Sequence, residues 1–198
     1  TEKYVPFFAD RIDEKLEEVK ACCTEPSEIV KAIQEYALEC SISKVFCSEA
    51  MDFVADEGLQ VFGGYGYGEE YPAERSYRDS RINRIFEGTN EVNRMLIPGT
   101  LLKKAMKQEL PFMEAVMGLG ATLGELKEAE LPNESPAKEE FYLDNMKTLF
   151  LLAAGNAAQK YGEALTGEQE ILCRLADMAM EIFAAESGLL RAKKMLNS

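Results

Sequence analysis

The feature that most constrains the fold is a long stretch of helical periodicity in the first third of the chain. Apolar side chains recur at helical spacing from Ile29 to Val54, and we predict a helix from near Ser27 to about Phe62. A helix of that length, about 36 residues at about 1.5 Å each, spans about 54 Å. Because its apolar stripe needs partners along its whole length, the pattern predicts a helical bundle.

The rest of the chain also shows helical patterns, and no segment alternates like a strand, so we predict an all-α protein. Pro98-Gly99 is expected to interrupt a helix that starts near Asn90. The other predicted elements are a first helix over Tyr4–Cys23, short helices near Pro72–Ser80, Leu101–Met106 and Pro111–Leu119, a polar linker over Ala129–Pro136, and a hairpin of helices over Ala137–Leu165 and Glu168–Leu196, with Thr166-Gly167 as its turn.

Composition excludes several classes of function. The net charge of −13 argues against a nucleic acid or an anionic membrane as the main partner. The chain has no histidine, which rules out Ser-His and Cys-His nucleophiles and leaves no plausible metal site. Its 5 cysteines are an odd count, and neither a secretion signal nor a long apolar run is present. We therefore expect a soluble cytoplasmic protein with reduced thiols and no membrane association.

A glycine-rich segment follows the first long helix and contains Gly63, Gly64, Gly66 and Gly68. It does not fit the dinucleotide fingerprint, because Glu69 stands where the final glycine should fall. We interpret the segment as a long loop that needs positive φ or close backbone approach, with a phosphate cradle as the alternative.

A basic stripe comes next, with arginines three residues apart. At this spacing the side chains drift slowly around a helix. They could pair with carboxylates, for which Glu74 and Asp79 are available, or they could bind a phosphate-bearing ligand. The arginines are Arg75, Arg78, Arg81 and Arg84.

Glu87 lies between Phe86 and Gly88 and has two interpretations. In the first, Gly88 or Thr89 caps a helix that starts near Asn90, and the carboxylate favours that helix N-terminus. In the second, the aromatic neighbour excludes water and the glycine lets a ligand approach, which would make Glu87 a general base.

Ordered motifs in this region resemble the C-terminal signature of the acyl-CoA dehydrogenases. The motifs are Gln60-Val61-Phe62-Gly63-Gly64, Arg78-Asp79 and Ile85-Phe86-Glu87-Gly88-Thr89-Asn90. The run from Ser41 to Ala50 is similar to the preceding helix in the very-long-chain branch. The resemblance extends from about Ala37 to Pro98.

The resemblance implies a fold, an activity and a set of site residues. Residues 1–97 would be part of a C-terminal four-helix-bundle domain, and residues 98–198 a helical extension. Enzymes of this family use FAD to oxidise acyl-CoA to trans-2-enoyl-CoA in fatty acid β-oxidation, and they pass electrons to an electron-transfer flavoprotein or similar acceptor. The implied roles are Glu87 as catalytic base, Phe86 and Gly88 in substrate binding, Thr89 and Glu91 at the FAD of the same subunit, and Gln60, Gly63 and Gly64 at the FAD of a neighbouring subunit.

The shared FAD site implies a homo-oligomer. Nothing in the sequence is similar to the family's N-terminal helical and central β domains, so we expect the 198 residues alone to be inactive although they carry the base. Two alternatives remain open at this point. One is a non-catalytic helical interaction or assembly module, and the other is an oxygen-using acyl-CoA oxidase relative.

Overall fold

The computed structural model describes residues 36–119, 131–132 and 134–196, together with Ser27, Val30 and Gln34. All regular elements of this part of the chain are helical, which confirms the all-α prediction. They are α1 (Ala37–Phe62), α2 (Gly64–Tyr67), α3 (Pro72–Ile82), α4 (Asn90–Met106), α5 (Ala137–Tyr161), a 3-10 helix (Gly162–Gly167) and α6 (Gln169–Leu196), and residues 112–119 are helical as well. The first predicted helix, Tyr4–Cys23, lies outside the described residues.

Backbone contacts divide the chain into two compact units with their boundary between Asn93 and Arg94. The division into a bundle domain over 1–97 and an extension over 98–198 stays a prediction.

In the first unit α1 packs against α3, and α2 contacts both helices. The face of α1 that is turned inward carries Ser41, Ile42, Val45 and Ser48. The helix ends at Phe62 as predicted, but its start differs. Ser27, Val30 and Gln34 are helical, as predicted, but Tyr36 is a turn residue at φ −92° and ψ 5°. The predicted helix is therefore not continuous, and α1 begins at Ala37.

Two glycines after α1 explain why the helix ends at Phe62. Gly63 has φ +60° and ψ −141°, a conformation that only glycine adopts readily. At Gly66 a Cβ atom would lie 2.6 Å from the carbonyl oxygen of Leu59. Positive φ and close approach are both present, as predicted. The prediction of a continuous long loop is wrong, however, because Gly64–Tyr67 forms the short helix α2.

In the second unit α5 and α6 pack against each other. Ion pairs join the start of α5 to the end of α6, between Glu140 and Lys193 and between Lys147 and Glu186. The two helices are therefore antiparallel, as predicted. Gly162, at φ +52°, ends α5 four residues before the predicted limit.

One buried cluster in the core of this hairpin comprises Ala154, Ala157, Leu165, Leu172 and Leu175. The helical spacing of apolar residues also predicts Leu149 and Met195 as core positions, but this is wrong, because Leu149 is 55% exposed and Met195 is 66% exposed. Each lies on a helix face that the partner helix does not cover.

The expected interruption at Pro98 is also wrong, since α4 continues through it to Met106. A proline inside a helix removes one backbone hydrogen bond and costs about 3 kcal/mol. Here Ile97 is completely buried and Pro98 lines an apolar cavity of about 270 Å³, so local packing offsets that cost.

Across the described residues we find no helix with the length and apolar character needed to cross a bilayer.

Candidate functional site

Glu87 lies in the connection between α3 and α4 and has an unusual backbone conformation. Its φ is +54°, and the next residue, Gly88, has φ +81°. Residues other than glycine rarely adopt positive φ, at a cost of about 1–3 kcal/mol, and do so where surrounding contacts hold them. No local sequence pattern predicts this conformation of Glu87, which is the residue that the resemblance implies is the base.

The carbonyl oxygen of Gly88 receives two hydrogen bonds that fix the connection just after Glu87. The ammonium group of Lys44 on α1 donates to it at 2.7 Å. The side-chain amide of Asn93 on α4 donates to it at 2.8 Å, and to the carbonyl oxygen of Thr89 at 3.1 Å. The loop is therefore held from α1 on one side and from α4 on the other.

The side chain of Asn90 is completely buried and links the loop to α1. Its Oδ1 accepts a second hydrogen bond from Lys44 at 2.7 Å. Its Nδ2 donates to the hydroxyl oxygen of Ser48 at 2.9 Å and to Oε1 of Glu49 at 3.1 Å. The Ser48 hydroxyl in turn donates to the carbonyl of Val45 at 3.0 Å. A buried amide whose oxygen and nitrogen are both bonded in this way is a rigid anchor.

Thr89 caps the helix that follows. Its hydroxyl oxygen accepts from the backbone N–H of Val92 at 3.2 Å, and α4 begins at the next residue, Asn90. This confirms the capping interpretation of the segment. The cap uses Thr89 rather than Glu87, so capping and a catalytic role for Glu87 are compatible.

Glu87 and the residues on either side of it are open to solvent. The Phe86 ring is 47% exposed, and Glu87 is itself exposed. Among the described residues, Phe86 therefore does not provide the water-excluding cover that the sequence led us to expect. Gly88 is also exposed, so its backbone is accessible to a ligand.

The remaining predicted cofactor residues fall into two groups. Glu91 lies in the exposed first turn of α4, beside Thr89. The second group lies at the other end of α1. Gln60 is about 18 Å along the helix axis from Ser48, and Gly63 and Gly64 follow the last residue of the helix. The structure does not bring this second group to the Glu87 loop of the same chain.

The arginine stripe pairs with carboxylates at two of its four positions. Arg84 binds Asp52 at 2.8 Å, and Arg78 lies 3.8 Å from Glu74. Asp79, the other expected partner, is instead one of the residues that line an open groove of about 830 Å³ together with Arg78 and Arg81. In the described part of the chain no cluster of acidic or thiol side chains could hold a metal ion.

The sequence analysis did not predict the contacts of Lys44 and Asn90. They join residues 44 and 46 positions apart, so local patterns do not reveal them. One signal was present, since Ser41, Lys44 and Ser48 place polar groups at helical spacing on the face of α1 that also buries Ile42 and Val45.

Comparison with known proteins gives a consistent result. Two family models match the chain, over residues 11–102 and 145–198, and both are described as "Acyl-CoA dehydrogenase, C-terminal domain". A probable acyl-CoA dehydrogenase of Bacillus subtilis (strain 168) is 50% identical over 169 residues, which cover 85% of this chain and 28% of that protein.

Two further comparisons extend over most of the chain. The mitochondrial very long-chain specific acyl-CoA dehydrogenase of Mus musculus is 30% identical over 192 residues, covering 84% of this chain and 28% of its own length. A crystal structure of an acyl-CoA dehydrogenase complexed with FAD from Bacillus anthracis superposes with a TM-score of 0.86 at 45% identity, covering 94% of this chain and 33% of that one. The chain thus spans about a third or less of each protein.

Proposed function

Because the chain belongs to the acyl-CoA dehydrogenase C-terminal domain family, we propose that it is the part of an FAD-dependent acyl-CoA dehydrogenase that supplies the catalytic base, Glu87. The observation that carries the proposal is the left-handed backbone of Glu87, which neighbouring donors hold in place. Such conformations cluster at active sites because the surrounding structure must maintain them.

The proposed reaction oxidises an acyl-CoA to the trans-2-enoyl-CoA. The Glu87 carboxylate takes the proton from the carbon α to the thioester, and the electrons of that C–H bond form the new double bond. When bound, FAD accepts the hydride that leaves the β carbon. Phe86 and Gly88 would line the thioester end of the acyl site, where the exposed backbone of Gly88 leaves room for the substrate.

The donors and acceptors near the loop fit the adenosine diphosphate part of FAD. Thr89 accepts the capping hydrogen bond through its oxygen, so its hydroxyl hydrogen is able to donate to a phosphate. Glu91 offers exposed acceptor oxygens for ribose hydroxyl or adenine amino groups. The first turn of α4 provides the positive end of a helix dipole beside both residues.

Gln60, Gly63 and Gly64 are proposed to serve the FAD of a neighbouring subunit. A Cβ atom placed on either glycine would meet nothing within 4 Å, so a cofactor could lie directly against this backbone. Their distance from the Glu87 loop of the same chain supports a site shared between two copies. We therefore propose a closed homodimer or a dimer of dimers.

Within the family, we propose that the chain belongs to the very-long-chain branch and that the enzyme acts in β-oxidation. The similarity to the mouse very-long-chain enzyme covers 84% of the chain, which supports this branch. The resemblance also supports an electron-transfer flavoprotein or a similar carrier as the acceptor. Cys40, Cys47 and Cys173 are free thiols, which fits a reducing cytoplasmic compartment.

The direct test of Glu87 is its replacement by glutamine in the full-length enzyme. Glutamine keeps the size and polarity of the side chain but cannot take the proton. We expect Glu87→Gln to retain FAD and acyl-CoA binding and to lose kcat by about 10²-fold or more. The assay measures acyl-CoA oxidation with an artificial electron acceptor, and oxygen as sole acceptor in a parallel reaction identifies an oxidase.

The matched control is Glu163→Gln. Glu163 is an exposed glutamate in the 3-10 helix, so the same substitution should leave kcat unchanged. Parental turnover in the Glu87→Gln enzyme would remove Glu87 from the catalytic role.

A further inference from the structure

We propose that Lys44, supported by Asn90 and Asn93, is a positioning residue that holds Glu87 in its working conformation, an inference that rests on the proposed role of Glu87 as base. None of the three needs to touch the substrate. Lys44 and Asn93 bind the backbone on the C-terminal side of Glu87, and Asn90 holds Lys44.

The first step of the inference is the convergence of two donors on one oxygen. The carbonyl of Gly88 has two lone pairs, and the hydrogen bonds from Lys44 at 2.7 Å and Asn93 at 2.8 Å occupy both. This carbonyl belongs to the residue after Glu87, so its direction limits how the backbone at positions 87 and 88 can rotate. Both residues there have positive φ.

The second step is that Lys44 is itself held. Its ammonium also donates to Oδ1 of the completely buried Asn90 at 2.7 Å. Nδ2 of that amide donates to Ser48 and Glu49, which lie on α1 with Lys44. A long, flexible lysine side chain therefore has two fixed acceptors and transfers the rigidity of α1 to the loop.

The third step concerns what the loop would do without these donors. Glutamate favours negative φ, so a released backbone would relax toward the common regions and carry the carboxylate away. Proton abstraction from carbon depends steeply on alignment, and a misplacement of about 1 Å can cost on the order of 10² in rate. Loss of Lys44 should therefore slow the chemical step more than it weakens binding.

The test uses the full-length enzyme with Lys44→Met, which keeps a long side chain but removes both donations. We expect kcat to fall by about 10- to 100-fold, with KM within about threefold and FAD content unchanged. Lys147→Met is the matched control, because Lys147 also donates a side-chain hydrogen bond, in its case to Glu186, but lies in the second unit. Its kcat should equal that of the parent.

A double-mutant cycle separates positioning from general stability. If Lys44 acts through Glu87, Lys44→Met should cause no further loss in an enzyme that already carries Glu87→Gln. Lys44→Arg should recover kcat to within about threefold of the parent, because a guanidinium group can donate to both acceptors. Losses that multiply in the double mutant, or parental kcat in Lys44→Met, would overturn the positioning role.

Failure of the proposed function has a different signature, since the Glu87→Gln enzyme would then keep parental activity by itself. If Lys44→Met does not fold or loses FAD, Asn93→Ala carries the test by removing only the second donor. We expect that variant to lose about 3- to 10-fold in kcat with FAD retained. Parental kcat in Asn93→Ala would in that case overturn the positioning role.

Discussion

Glu87 has a left-handed backbone, and hydrogen bonds to the carbonyl of Gly88 hold the chain just after it. The local motif around it indicated a special carboxylate before a helix, and the cap at Thr89 was predictable from residue type and position. Its positive φ and the donors on Gly88 were not predictable, because Lys44 comes from a distant part of the chain. Local patterns define caps and turns, whereas a buried polar network depends on how helices pack.

The close backbone approach at Gly66 leads to a prediction about a single residue. A methyl group there would lie 2.6 Å from the backbone oxygen of Leu59, which cannot move without disturbing the end of α1. At Gly64 the space is open and the backbone is helical. We expect Gly66→Ala to lower the Tm of the 198-residue chain by several degrees.

Gly64→Ala is the matched control, and it should leave the Tm equal or slightly raised because alanine favours helix. Thermal unfolding followed by circular dichroism measures both variants. Equal Tm values for the two would show that the close approach at Gly66 does not constrain the fold.

At the level of elements, the sequence predicted most of the helices and placed the end of α1 and the start of α5 correctly. The errors have physical causes. Pro98 suggested a break, but burial of Ile97 keeps α4 continuous. The glycine segment suggested only a loop, yet Gly64–Tyr67 completes a short helix once Gly63 has turned the chain. In the first case tertiary packing outweighed local preference, and in the second a single glycine turn was enough to start a new helix.

The cap of α4 provides a prediction for an element. Thr89→Ala removes the acceptor for the N–H of Val92, which should cost about 1 kcal/mol of stability. In a chain of this size the Tm should fall by about 2–4 °C. Thr89→Ser retains the hydroxyl and should remain close to the parent. A Tm in Thr89→Ala equal to that of Thr89→Ser would show that the capping bond contributes nothing.

At the scale of the whole molecule, this chain covers 28% of its Bacillus subtilis relative and carries only part of the proposed active site. The 198-residue chain prepared alone should be helical, colourless and inactive, because the loop that carries Glu87 is open to solvent. Circular dichroism, the visible absorption spectrum and a dehydrogenase assay measure these properties. A yellow preparation with stoichiometric FAD would contradict this expectation.

Assembly is tested on the full-length enzyme by multi-angle light scattering. Because Gln60, Gly63 and Gly64 lie far along α1 from the Glu87 loop, we expect them to act across a subunit interface. The measured mass should therefore be that of a dimer or a tetramer. A monomer that holds FAD and turns over would rule out the shared site.

The most direct measurement of the central claim is a single turnover without any electron acceptor. Acyl-CoA is mixed anaerobically with the FAD-loaded full-length enzyme, and loss of the visible flavin band is followed with time. We expect rapid loss in the parent and in Glu163→Gln, and loss slower by about 10²-fold or more in Glu87→Gln. Flavin reduction at the parental rate in Glu87→Gln, with substrate bound, would contradict the assignment of Glu87 as the base.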